Sequence, residues 1–595
     1  MATTDVGTAF KTMAQLAGFA AQRHGGRPAL RFKVDGDWRE QSYSELGEEA
    51  HDLALGLIDL GIAPSDRVCV LATTRREWTT VSLATWSAGA VVVPIYPTNS
   101  PEECEWVAGN SGATAVLCED EAQLEKIRAV EDRLPDLRTR ILMDGESDDA
   151  VRLDDLRGRG GDRAELERRI AAVGPDDAML FIYTSGTTGP PKGCVLMHSN
   201  GRALCDMLNE LEITTEGDVA YLYLPLAHVF AQLIEVASLY LGGTIAYFGG
   251  DTKKIVEEIR EVQPDYVPSV PRIFEKIYGL ATADLAQASP EQREQFREAI
   301  KLGVKVRDLQ NRGEPVPEEL RKPFEAADET IFKKVRALFG GRMREATTGA
   351  APIAQEILEF FYASGCPVLE GYGMTETTGV MTTSTREHHR FGTVGRAMPG
   401  VEVRIAEDGE VLTRGPHVFK GYWRKAEATR EVLDEDGWLH TGDIGELDED
   451  GYLKITGRTK DIIITAGGKN LAPANLENDL KQSRWVSQAV MYGDRRPYPV
   501  ALVTLDPEEV VPWAREQRLP EDMSALAEHP KVRELVQGVL DEANQKYAKV
   551  EQIKKFEILD HDLSQETGEL TPTLKVKRNV VYDHYADVFE RLYAG

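Results

Sequence analysis

Short apolar runs of strand length alternate with amphipathic helical stretches through the first half of this sequence, which restricts the fold to layered α/β arrangements. Arg67–Leu71 (RVCVL), Ala90–Tyr96, Thr114–Cys118 and Arg140–Met143 are strand candidates, separated by helical patterns such as Tyr43–Leu60. The alternation resumes at Ala220–Leu224, Gly243–Phe248, Tyr266–Val270, Glu345–Thr348 and Pro367–Tyr372. Strands apolar on both faces need helices on both sides, so mostly parallel sheets are expected. From about 281 to 334 the chain is charged, helical and free of strand signals. Ser289-Pro290-Glu291 there reads as a helix cap and first turn, and the stretch reads as a helical insertion. After Gly395 come antiparallel signals at Val401–Ala406, Gly409–Thr413 and Tyr452–Thr456. From Asp461 a hairpin pattern at Val486–Tyr492 and Val500–Leu505 precedes acidic helices. The expected organisation is α/β: a large N-terminal region of mixed βα subdomains over residues 1–460 and a small α+β domain over 461–595.

A chain of 595 residues is too long for one core. A net charge of −29 opposes a nucleic-acid surface and means that an anionic substrate must meet a local basic pocket. The six cysteines form no C-x-x-C pair and several lie in apolar, strand-like runs, so reduced buried thiols in a cytoplasmic protein are expected. The histidines show no zinc spacing. Phe10, Met13, Leu16 and Phe19 recur at helical spacing and read as a helix docked on the body, with no secretory signal pattern. The uncharged stretch Thr79–Pro101 is broken by Gly89, Pro94 and Pro97 and reads as a buried helix and strand rather than a membrane span.

The run with the most chemistry is Tyr183–Gly193, YTSGTTGPPKG. It follows the strand-like Ala178–Tyr183 and holds four small hydroxyl residues, three glycines and Lys192. Glycines bring backbone N–H groups close to a ligand, and a lysine is a point charge suited to phosphate. It is not a Walker A loop, because Pro191 precedes Lys192 and Gly193 follows it. The bland reading is a Thr/Gly-rich surface turn. Further runs follow in order: EGYGMTETTG at Glu370–Gly379, GWLHTGDIG at Gly437–Gly445, TGRTKD at Thr456–Asp461 with IIITAGGKN after it, and LTPTLKVKRN at Leu570–Asn579.

Together these runs resemble, in order and spacing, the adenylate-forming (ANL) superfamily, over nearly the whole chain. Within it the sequence is similar to the AMP-forming long-chain fatty acyl-CoA synthetases, through VPSVPRIFEKIY at Val267–Tyr278, the helical insertion and the LTPTLKVKR ending. The resemblance implies ATP, Mg2+ and CoA as cofactor and co-substrates. A fatty carboxylate is activated as acyl-AMP and passed to CoA, with AMP and pyrophosphate released. It places Thr184, Ser185, Gly186, Thr187, Thr188, Gly189 and Lys192 on the β- and γ-phosphates, Thr375 on the α-phosphate and Glu376 on Mg2+. Gly349, Ala350 and Ala351 would face adenine opposite Tyr372, within Gly371, Gly373 and Met374. Asp443 and Arg458 would hold the ribose. Lys575 would be the catalytic lysine alongside Glu376 and Thr184. Thr573–Leu574 depart from the family's Ser–Gly, and Lys577 is a competitor for that role.

His228, Val229 and Phe230 would border the acyl site, with a structural histidine as the equal alternative for His228. Gly467, Gly468 and Lys469 would meet CoA. Asp461 would be the hinge of a mobile C-terminal domain. The alternatives are handover of the acyl group to a carrier protein, and adenylation of another carboxylic acid. A fatty substrate partitions into bilayers, so peripheral membrane contact is compatible with the chain, although no basic amphipathic helix marks it. Chain-length preference and oligomeric state are not set by spacing.

Overall fold

The computed structural model describes residues 10–594 apart from 158, 160, 185–189, 284, 286–287, 467–469 and 572–574. Two large sheets form the body. One has eight strands in the order Gly421–Tyr422, Lys192–Met197, Ala178–Thr184, Val91–Ile95, Arg67–Leu71, Ala113–Cys118, Thr139–Leu142 and Val151–Arg152. The other has nine, and its middle is parallel: Val368–Tyr372, Glu345–Thr348, Tyr266–Ser269, Val219–Leu222, Thr244–Tyr247 and Pro28–Val34. The strand runs are apolar because helices cover both faces; all five residues of Val91–Ile95 are buried.

The N-terminal segment folds as a 3-10 turn and the helix Leu16–His24. Phe10 lies 5.0 Å from Phe19 and 5.3 Å from Tyr240, ring to ring, so the segment is packed into the main core. Between Tyr266–Ser269 and Glu345–Thr348 the regular structure is helical, with Pro290–Asn311 capped by Ser289 as its longest helix.

A four-stranded antiparallel sheet follows: Glu402–Ile405, Glu410–Arg414, Leu439–Leu447 and Leu453–Arg458. The smaller C-terminal unit has its own three-stranded sheet, Val486–Tyr492, Val500–Leu505 and Lys555–Ile558. Its two apolar cores are drawn from residues from Ile463 onward.

The strand Lys192–Met197 returns antiparallel to Ala178–Thr184, with Thr184 opposite Lys192. The strands on either side of residues 185–189 are therefore antiparallel neighbours. No helix dipole follows this segment, and positive charge at its base comes from Lys192. All six cysteines are buried and free, and among the described residues no helix is long and apolar enough to cross a membrane.

Candidate active site

A cavity of 1380 Å³ lies where the two large sheets, the antiparallel sheet and the C-terminal unit meet. Its wall takes in Thr184, Lys192, His228, Gly349, Ala350, Gly371, Gly373, Met374, Thr375, Glu376, Arg458, Asp461 and Lys575, along with Val229 and Phe230. Residues nearly four hundred positions apart are thus brought to one place. Ser185–Gly189 and Gly467–Lys469 lie outside the described residues. Ala351, Tyr372 and Asp443 are not on the cavity wall.

The acidic end is built from Glu376. Met374 to Gly379 makes one tight 3-10 turn, with Thr378 at φ 52° and Gly379 at φ 102°. A side chain at Gly373 is excluded, because its Cβ would lie 2.6 Å from both Gly379 O and Val380 Cα. This turn buries Glu376 and leaves its carboxylate on the cavity wall. Tyr422 donates its hydroxyl to Glu376 Oε1 at 2.6 Å, and Lys192 Nζ stands 4.9 Å over the Tyr422 ring. Sequence reading missed Tyr422. It reaches the site because Gly421–Tyr422 pairs antiparallel with Val195 and Cys194, a contact that no local spacing announces. Burial and the Glu376 charge push its phenol well above the ordinary range. Trp106 Nε1 donates to Pro191 O at 2.8 Å and fixes the base of the phosphate-type loop.

No cluster of three or more metal-binding side chains occurs among the described residues. The Glu376 carboxylate on the cavity wall fits a hard cation that keeps waters and shares phosphate oxygens, as Mg2+ does.

Asp443 and Arg458 face each other across neighbouring antiparallel strands, and directly opposed residues share a face. Arg458 Nε donates to Asp443 Oδ1 at 2.7 Å, and Tyr372 donates its hydroxyl to Oδ2. The Tyr372 ring packs beside the small core of Met381, Val411 and Leu453, so here it supports Asp443 from behind the wall. Thr441 Oγ1 accepts from Asp443 N at 3.1 Å, adding a second brace.

Lys575 arrives from the C-terminal unit. Thr571 N donates to Lys575 O at 2.8 Å and Lys575 N donates to Thr571 Oγ1 at 3.0 Å, which ties Lys575 to Thr571. Arg578, three residues on, is clamped on both Glu477 oxygens, and Glu477 also accepts from Met491 N at 2.6 Å. The lysine side chain is exposed and lines the cavity. Desolvation foremost, then Arg458, lowers its pKa, while Asp443 and Glu376 oppose the shift. Lys577 also lines the cavity and stands at the start of the helix Arg578–His584 without a side-chain capping bond.

His228 has a structural place and also borders the cavity. Its Nδ1 accepts from Phe230 N at 3.1 Å, capping the helix Val229–Leu241, and its ring lines the cavity. Burial, helped by Lys575, lowers its pKa to about 4, so the ring is neutral near pH 7 with its proton on Nε2. Beyond it the cavity continues as an apolar lobe between Val229, Phe230, Leu233 and Ile234 on one side and Tyr266 on the other.

This arrangement defines a nucleotide-using enzyme with a cationic and acidic end joined to an apolar lobe. The chain belongs to the AMP-binding enzymes: that family's profile matches residues 19–423, and the profile of the AMP-binding enzyme C-terminal domain matches residues 460–595. A long-chain-fatty-acid–CoA ligase of Mycobacterium bovis is 38% identical over 570 residues, spanning 94% of this chain and 93% of that one. A ligase of the same description from Xenopus laevis is 33% identical over 620 residues, or 98% of this chain and 84% of that one. Among solved structures, the adenylation domain of a carboxylate reductase from Mycobacterium chelonae superposes with a TM-score of 0.77 at 24% identity, covering 98% and 91% of the two chains. ATP-bound MatB of Rhodopseudomonas palustris superposes with a TM-score of 0.70 at 25% identity, covering 97% and 99%.

Proposed function

We infer that this chain is an AMP-forming long-chain fatty acid–CoA ligase using ATP, Mg2+ and CoA. The observation that carries the reading is the double character of the cavity: a lysine- and glutamate-lined end suited to phosphates opens directly into an apolar lobe suited to an alkyl chain. The family and the ligases that align along almost the whole chain support the same activity.

In the first half-reaction a carboxylate oxygen of the fatty acid attacks the α-phosphorus of ATP. The bond to the bridging oxygen breaks, and pyrophosphate leaves. In the second, the CoA sulfur attacks the acyl carbonyl carbon and loses its proton, and AMP leaves. Both steps concentrate negative charge, and preorganised positive groups lower the cost of that charge. Lys575 is assigned to the oxygens shared by carboxylate and α-phosphate. Lys192 and Thr184, with residues 185–189, are assigned to the terminal phosphates.

Glu376 would hold Mg2+, which neutralises phosphate charge when bound, and Tyr422 orients the carboxylate for it. Thr375 is assigned to the α-phosphate, Arg458, braced by Asp443 and through it by Tyr372, to the ribose, and Gly349, Ala350, Gly371, Gly373 and Met374 to the adenine region. The neutral His228 offers a proton donor beside the acyl carbonyl without adding charge. Residues 467–469 are assigned to CoA, with the pivot at Asp461, whose carboxylate lies 3.9 Å from Arg578.

The test is pyrophosphate release from ATP, Mg2+ and palmitate, with and without CoA. Sustained release that needs both palmitate and CoA is expected, with about one equivalent per enzyme when CoA is omitted. Release independent of palmitate, or sustained turnover without CoA, overturns the reading.

A further inference from the structure

The apolar lobe has a floor, and the floor is held by charge. The parallel strands of the nine-stranded sheet carry the reacting end of the cavity at their C-terminal ends. The lobe descends along them toward the strand starts. Tyr266 sits opposite Glu345, three pairs below Ser269 and Thr348, or roughly 10 Å at strand rise. On the facing wall the helix that begins at Val229 descends from His228 to Ile234, about 9 Å at helical rise. The bottom is lined by Leu208 and Ile213. They belong to the end of the helix His198–Glu210 and to the loop that turns back into Val219–Leu222.

That loop is not free to move aside. Arg344, the residue before the strand Glu345–Thr348, donates to Ile213 O at 2.8 Å. It also pairs with Asp218 Oδ2 at 2.9 Å and reaches Thr215 Oγ1 at 3.3 Å. Asp218 in turn accepts from Thr215 N at 2.7 Å and Thr215 Oγ1 at 3.0 Å. Glu212, next to Ile213, has φ 51°, a left-handed conformation costly for a residue with a side chain. The path of the loop is therefore enforced by the clamp rather than by local preference. Arg344 and Asp218 are largely sheltered from water, with side chains 28% and 12% exposed, where charge-assisted bonds are hard to exchange.

We propose that Ile213, held across the end of the apolar lobe by the Arg344–Asp218 clamp, sets the length of acyl chain that the enzyme accepts. The inference rests on the fatty-acid reading above. An acyl chain that outgrows the lobe must displace Ile213, and Ile213 yields only if its carbonyl leaves Arg344. Ile213 touches the substrate's tail, and Arg344 is a positioning residue that acts through it.

The experiment compares kcat/KM for octanoate, laurate, palmitate and stearate in four variants, read as pyrophosphate release with ATP and CoA saturating. Ile213→Trp fills the floor and is expected to lower the palmitate-to-octanoate ratio by about tenfold or more, since each misfit methylene is worth roughly tenfold in a hydrophobic pocket. Ile213→Ala is expected to raise the stearate-to-palmitate ratio. Arg344→Gln is expected to shift the profile in the same direction as Ile213→Ala, and Arg344→Lys to return it toward the wild type. Should Arg344→Gln fail to fold, the two Ile213 variants decide alone. A wild-type length profile in both Ile213 variants overturns the inference. A wild-type protein inactive on all four acids instead overturns the substrate reading on which it rests.

Discussion

At the scale of single residues, the site turns on how one lysine is held. Lys575 stands beside Arg458 in a deep cavity, and both facts disfavour its charge; Asp443 and Glu376 restore part of it. A cation so placed gains most when a phosphate and a carboxylate arrive together. Lys575→Ala is therefore expected to slow pyrophosphate release by about two to three orders of magnitude, while CoA ester formation from pre-made acyl-AMP changes only a few-fold. Lys577→Ala should be mild, because the Lys577 side chain makes no capping bond to the helix it precedes. Equal losses in both half-reactions, or a dead Lys577→Ala beside an active Lys575→Ala, would remove Lys575 from the role. Its lowered pKa also sets a sign. The ammonium is lost below the usual lysine value of 10.5, so adenylation should decline on the alkaline side earlier than a free lysine would dictate. The motif residues were legible because backbone turns and charges recur at fixed spacing. Tyr422 was not, since its place follows from strand pairing across more than two hundred residues.

At the scale of elements, apolar runs between turn signals located most parallel strands, and the Val486–Tyr492 and Val500–Leu505 hairpin has the bounds its pattern implies. Leu439–Leu447 was not read as a strand. Its alternation of buried and half-exposed residues is clear in the fold, but glycines and charges hide it in sequence. The charged edge strand Asp37–Ser42 escaped for the same reason: solvent on one side removes the apolar signal.

The helix Val229–Leu241 holds a second hidden feature. Glu235, fully buried on the side of this helix turned toward Thr79 and Tyr247, accepts from Thr79 Oγ1 through Oε1, while Oε2 has no partner. Burial raises its pKa from 4.5 to about 7. The folded-state value lies above the unfolded one, so its contribution to stability is fully present below pH 4.5 and is lost as pH rises through 7. Glu235→Gln keeps the shape without the titration. Its melting temperature relative to wild type should climb as pH rises from about 4.5 to about 7.5 and then level off, by about 1 °C for each ~1 kcal/mol in a chain of this size. A pH-independent difference would show that Glu235 stays protonated, or unstrained, throughout.

At the scale of the whole molecule, the C-terminal unit must be docked for Lys575 to reach the cavity. Part of that docking is ionic. Arg272, on the helix Pro271–Thr282, pairs with Asp506 at 2.5 Å, and Lys276 lies 3.7 Å from Glu508. Neither pair touches the cavity wall. Exposed pairs contribute up to about 1 kcal/mol, so Arg272→Asp is expected to slow the acyl-AMP step by roughly twofold to fivefold with the KM for ATP unchanged. Combining it with Asp506→Arg should recover most of the rate. A double variant as slow as the sum of its parts would show that the pair does not position Lys575. Such placement was beyond the sequence, because two carriers of opposite charge 234 positions apart have no pattern in common. The division into a large and a small part was legible from the change in composition alone.

The burial of the cysteines has a consequence for an enzyme that handles acyl groups on sulfur. Cys194 Sγ lies 3.9 Å from Oγ1 of Thr184, a residue of the cavity wall. Desolvation, with the Glu376 carboxylate beside it, lifts its pKa far above the ordinary thiol value, and burial pushes Cys104, Cys118 and Cys366 up to about 12. A thiol that cannot ionise is a poor nucleophile. The protein can therefore hold an acyl adenylate and then a thioester without exchanging either onto its own side chains, which leaves the sulfur of the incoming co-substrate as the competent acceptor and spares the catalyst from acylating itself.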